Sequence, residues 1–129
     1  MKNVAFLLGR VAFGGFFLYN GINHFKNRKM LAQYAGSKNV SMPDIAVPLS
    51  GAMILLGGAS IITGFRPAIG TAAVIGFLAA ASPKMHDFWH QQDPTQQMNE
   101  TIHFSKNMAL AGAALALMGV KEPWPVSLG

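Results

Sequence analysis

Four long apolar runs, separated by polar stretches of unequal length, organise this chain. The first covers Val4 to about Phe25, with Arg10 as its only formal charge. The second covers about Ile45 to Thr63, entered through Pro43, a residue suited to a helix start. The third extends from Pro67 to Ser82, with a wetter continuation toward Trp89, and the fourth from Ile102 to Val120. A hydrocarbon core of roughly 30 Å takes about 20 helical residues to cross. Each run supplies them, the third only with help from its flank. The pattern predicts an all-α membrane protein, a four-transmembrane-helix bundle forming one domain over residues 1–129. Four buried helices of a soluble protein would leave too little polar surface in so short a chain.

The connections predict the topology. Residues 26–44 read as a basic, amphipathic loop, Gly64 to Arg66 as a tight hairpin, and residues 83–101 as a polar loop. Four spans put both termini and the hairpin on one side and the two long loops on the other. Six Lys and Arg residues fall on the long-loop side (Lys26, Arg28, Lys29, Lys38, Lys84, Lys106) and four on the other (Lys2, Arg10, Arg66, Lys121). That balance leans toward cytoplasmic long loops. The first segment reads as a retained helix rather than a cleaved leader, because Arg10 interrupts it and no A-x-A site follows.

Composition strengthens the membrane reading. Hydrophobic residues make up 51% and charged ones 12% of the chain. The 14 glycines and many alanines suit helices that approach closely in lipid. Rows of small residues at Ala72, Gly76 and Ala80, at Ala109 and Ala113, and at Gly57 and Gly58 predict packed interfaces. The net charge of +5 points to anionic lipid or to topology rather than nucleic acid, since the basic residues lie between apolar runs. With no cysteine, disulfides, thiol redox chemistry and thiolate metal sites are excluded.

Candidate chemistry sits at the helix ends. Arg10, Gly14, Phe17, Gly21 and His24 recur at helical spacing, so they form one stripe with polar groups about 21 Å apart at its ends. The stripe should face other helices. Arg10 either snorkels to the interface or binds an anionic or carbonyl-bearing ligand. HFKN (His24–Asn27) closes the first run, and HFSKN (His103–Asn107) opens the last. Lys106 and Asn107 are costly in hydrocarbon unless they anchor or form a site. The candidate ligand-binding set is Arg10, Asn20, His24, Lys106 and Asn107, with His24, Lys106 and Asn107 expected in one pocket. No catalytic residue is identified. His86 and His90, four apart, are weak metal candidates if they share a helix, although no metalloprotease-type pattern accompanies them. Trp89, Trp124, Tyr19 and Tyr34 read as interfacial aromatics, and Asp44 as an N-cap.

Three stretches carry a family likeness: LLGRVAFGGFFLYNGINHF, SGAMILLGGASIITGFRP and FSKNMALAGAALAL. With them, nearly the whole chain resembles the DoxX family of small four-helix bacterial membrane proteins. That resemblance implies a multi-pass protein of the bacterial inner membrane. The family takes its name from a subunit associated with thiosulfate:quinone oxidoreductase, so it also implies a link to quinone chemistry. One departure stands out. Relatives are expected to carry a Glu near Ile54, and this chain has no acid between Ile45 and Thr63. A proton-coupled role needing that carboxylate is therefore disfavoured.

Three functional readings follow. The first is a quinone- or lipid-binding subunit of a membrane oxidoreductase, with His24 and Lys106 donating to a carbonyl, Asn107 orienting it and Arg10 serving the opposite end. The second is a structural or assembly subunit, docking other membrane subunits or a second copy through its small-residue rows. The third, a small transporter, is disfavoured because short unbroken helices offer little for alternating access. Whether the protein is an enzyme is left open.

Overall fold

The computed structural model describes residues 2–128, and they are helical apart from short connections and a C-terminal tail after Met118. Five α-helices follow in order: α1 (Lys2–Lys26), α2 (Arg28–Ser37), α3 (Pro43–Thr63), α4 (Pro67–Met85) and α5 (Pro94–Met118). A 3₁₀ turn at Phe88–His90 links the last two. Three stretches are long and apolar enough to cross a membrane: α1, α3, and Pro67–His90, which contains α4. α5 is as long as α1, but Gln96, Gln97, Asn99 and Glu100 make its first third polar.

Two of the predicted loops are corrected. Residues 26–44 contain α2, because Leu31, Ala32 and Ala35 form a short helical stripe that packs against α3. A ten-residue helix is marginal alone, so tertiary packing supplies its stability. The polar stretch 83–101 is largely helical as well. α4 runs to Met85 through Pro83, and α5 begins at Pro94, eight residues before the apolar run. Polarity there marks contact with water, not loss of helix. The hairpin is as predicted: α3 ends at Thr63, Gly64 takes the left-handed conformation (φ 73°), and α4 starts at Pro67. Asp44 is not the N-cap of α3. Met42 holds that position, and Asp44 lies in the first turn, where its charge favours the positive helix end.

α1 and α3 make the closest helix pair, running antiparallel. Gly14 faces Gly58, and Gly21 faces Gly51 and Leu55, so the two backbones nearly touch. The apolar core runs through Phe17, Ile54, Ile61, Val74, Leu78, Ala114 and Trp124. The small-residue rows of α4 and α5 are not in it. Ala72, Gly76, Ala80, Ala109 and Ala113 are exposed, and α4 instead buries Gly70, Thr71, Val74, Leu78 and Ser82.

The C-terminal tail folds back over the hairpin. The Leu128 amide donates to the Thr63 carbonyl at 2.9 Å. Trp124, expected at the interface, is buried and meets the Phe6 ring edge-on, with centroids 5.3 Å apart. The start of α1, the hairpin and the tail thus share one end of the bundle, opposite α2.

Candidate functional site

At the α2 end lies a cavity of about 360 Å³, lined by α1 to α4 and, from the middle of α5, by Asn107. Its walls are mainly apolar. Leu31, Ala35 and Val40 form a roof from α2 and the segment after it, while Val47, Met53, Phe77 and Ala81 form the sides. Polar atoms enter from His24, Ser50, Lys84, His86 and Asn107.

His24 is held there by α3. Its Cβ packs where Gly51 leaves room, so a methyl group at position 51 would lie 2.6 Å from it. The Ser50 hydroxyl donates to the Val47 carbonyl at 3.0 Å. Its oxygen is therefore free to accept from His24 Nδ1–H, 3.4 Å away. That tautomer leaves Nε2 as a hydrogen-bond acceptor. Asn107 is the buried polar residue of α5, and its amide donates to Ser82 Oγ at 3.0 Å. One N–H and the carbonyl oxygen of Asn107 remain beyond that bond.

The five sequence candidates separate. His24 and Asn107 line the cavity together, as expected. Lys106 does not: it is exposed, and its ammonium lies 5.5 Å from the centre of the Phe16 ring. Adjacent residues on a helix point about 100° apart, and here Asn107 takes the inward direction while Lys106 takes the outward one. The recurrence of His-Phe with Lys-Asn thus does not build a shared site. Asn20 is spent locally, donating to the Phe16 carbonyl at 2.7 Å.

Arg10 neither snorkels nor faces the cavity. It is buried, 1% exposed, at the other end of the bundle. Its guanidinium donates to Ile61 (3.1 Å) and Ile62 (2.8 Å) on α3, and to Pro125 (2.5 Å) and Val126 (3.0 Å) in the tail. Phe6 and Trp124 flank it with their rings. The two α3 carbonyls belong to the last turn, which has no intrahelical donors for them. Arg10 is a cap on α3 and a clasp on the tail.

His86 and His90 do not share a helix face, because α4 ends at Met85, leaving His86 at its C-cap and His90 in the 3₁₀ turn. Among the described residues, no group of three or more His, Asp or Glu side chains is arranged to hold a metal ion. A different polar cluster gathers there instead. Lys38 Nζ reaches Asp87 at 3.0 Å and Glu100 at 3.4 Å, and the same Glu100 oxygen lies 3.4 Å from His86 Nδ1. His86 stacks on His103. Burial alone would lower the Lys38 pKa, but the hydrogen bond from Lys38 to Asp87 and the negative charge of Glu100 and Asp87 raise it. A raised lysine pKa stabilises the fold below the ordinary lysine range, and the contribution fades as pH climbs through the raised value. The cluster therefore persists at neutral pH. No local pattern marks it, since Lys38 and Asp87 are 49 residues apart.

A family model, DoxX, matches residues 5–87, about two thirds of the chain. The protein belongs to the DoxX family. The match takes in the first two of the three resembling stretches and stops before α5, so the likeness of the last helix lies outside it. No curated protein and no solved structure matches the chain. With its apolar helices, this DoxX member is a multi-pass membrane protein. Ile54, near the expected position of a Glu in relatives, is fully buried in the apolar core, where a carboxylate would find little to pair with.

Proposed function

We propose that the protein is a four-span inner-membrane subunit that binds a quinone, or another lipophilic molecule with a small polar head, in the cavity beneath α2. α5 is the fourth span in this reading, crossing with its apolar part from Ile102 onward. The observation that carries the proposal is the cavity itself: about 360 Å³, walled mainly by apolar side chains, with His24 and Asn107 among its few polar contributors. Ligand sites commonly combine such walls with a few placed polar groups. Asn107 can donate to a carbonyl, and His24 Nε2 can accept from the hydroxyl of a reduced ring. An electron-transfer partner would complete an oxidoreductase.

The test is purification in mild detergent followed by mass spectrometry of extracted quinone and lipid. Ala46→Phe fills the cavity from α3 and should lower bound ligand by more than about tenfold, while Asn107→Leu removes one polar contact worth about 1.4 kcal/mol, or roughly tenfold. Both variants should keep the wild-type helical signal and elution volume. Unchanged ligand content in two folded variants would overturn the proposal.

One observation favours the assembly reading. The exposed rows at Ala72 and at Ala109 and Ala113 offer close approach to another helix. A defect confined to complex formation in Ala113→Phe, with ligand content intact, would support it.

A further inference from the structure

A second concavity, of about 370 Å³, lies where α1 passes into α2 and is lined by Phe25, Lys26, Asn27, Arg28, Lys29 and Met30. Three of these six side chains are cations, and no acid lines the site. Among the described residues none of the three cations forms an ion pair, whereas Lys38 alone takes both Asp87 and Glu100. Asn27 turns back to hydrogen-bond Asn23. The charge is therefore available to something outside the chain.

The position indicates what that is. α1 is long and apolar enough to span a membrane, and it ends at Lys26. The cations thus lie where a crossing helix leaves hydrocarbon for the headgroup layer. Phe25 and Met30 flank them and are both exposed, 39% and 61%. Apolar side chains beside a basic cluster suit the boundary between acyl chains and headgroups, where an acidic segment of a soluble protein would gain nothing from them. We propose that Lys26, Arg28 and Lys29 form a binding site for the phosphodiester headgroup of an anionic phospholipid. The inference rests on α1 crossing the bilayer and is independent of what the cavity holds.

The experiment uses the full chain in nanodiscs containing equal phosphatidylglycerol and phosphatidylcholine. Spin-labelled forms of each lipid report how strongly the protein immobilises them. Each interfacial cation contributes about 1 kcal/mol, or roughly fivefold, so the wild type should prefer the anionic lipid by about fivefold or more. The combined substitution Lys26→Gln, Arg28→Gln and Lys29→Gln should abolish the preference. Removing two equally exposed charges at the opposite end, Lys2→Gln with Lys121→Gln, should leave it in place. In the wild type, which needs no variant to fold, the preference should weaken as sodium chloride rises. At matched ionic strength, inorganic phosphate should compete no better than chloride. A wild type without preference, or a folded triple variant that keeps it, would overturn the proposal. Specific displacement by phosphate would also overturn it, showing a site for a free anion and not a lipid.

Discussion

Arg10 is a charge in an apolar run that spends its donors on backbone carbonyls. A guanidinium in an apolar run signals an energetic obligation, because it must find acceptors or reach water. The sequence has no mark for the acceptors, which are backbone carbonyls of α3 and of a tail more than a hundred residues away. Hydrogen bonds from a charged donor contribute about 1.5–3 kcal/mol each, and carbonyls stripped of them stay buried. Arg10→Met should therefore destabilise the fold by roughly 3 kcal/mol or more. It should also release the tail, making residues after Lys121 sensitive to protease in the detergent-solubilised protein. Arg10→Lys should rescue little, since one ammonium cannot reproduce a planar fork that reaches four carbonyls. A tail as resistant in Arg10→Met as in the wild type would show that Trp124 and the Leu128 bond hold it without the clasp. Asn107 is legible in the same way only as a carboxamide that needs a partner in hydrocarbon; the partner it finds, Ser82, lies 25 residues back and carries no local mark.

At the scale of helices, hydrophobic length and glycine spacing foretold different amounts. The apolar runs gave the positions of α1, α3 and α4 closely, because crossing length and apolar composition are local properties. They missed α2, whose stripe of Leu31, Ala32 and Ala35 is too short to stand out without the α3 surface beneath it. Small residues proved informative only where two rows meet. Gly14 and Gly21 on α1 oppose Gly58 and Gly51 on α3, whereas in the α4 row Ala72 is exposed and Gly76 and Ala80 border the cavity without meeting a second row of small residues. A Cβ at Gly58 would lie 2.5 Å from the Gly14 carbonyl oxygen and 2.8 Å from the Leu18 nitrogen, both backbone atoms that cannot yield without moving a helix. Gly58→Ala should therefore cost about 1–3 kcal/mol, the usual range for overpacking. Gly15→Ala, one residue from the Gly14 contact, meets nothing within 4 Å. It should be neutral or stabilising by up to about 1 kcal/mol, as expected for an unstrained glycine in a helix. Thermal unfolding in detergent compares the pair directly. Equal losses would mean that the α1–α3 contact is looser than its geometry.

For the molecule as a whole, the decisive question is whether α5 completes a four-span bundle. Its polar first third, from Pro94 to Thr101, carries Glu100 into the Lys38 cluster beside the roof of the cavity. Its apolar remainder buries Ala114 in the core and leads to Trp124 under the Arg10 clasp. Since that clasp also holds the last turn of α3, the tail and the hairpin must lie on the same side of the membrane. α2 and the start of α5 must then lie on the other side if α1, α3, α4 and α5 all cross. The absence of cysteine makes this directly measurable, because every introduced thiol is the only one in the chain. Ser37→Cys and Gln96→Cys should react with a membrane-impermeant maleimide from one side of sealed vesicles. Phe65→Cys and Lys121→Cys, both at exposed positions, should react from the other. Labelling of Gln96→Cys and Lys121→Cys from the same side would show that α5 does not cross. The cavity would then lie among three spans, with Asn107 reaching it from a helix that does not cross.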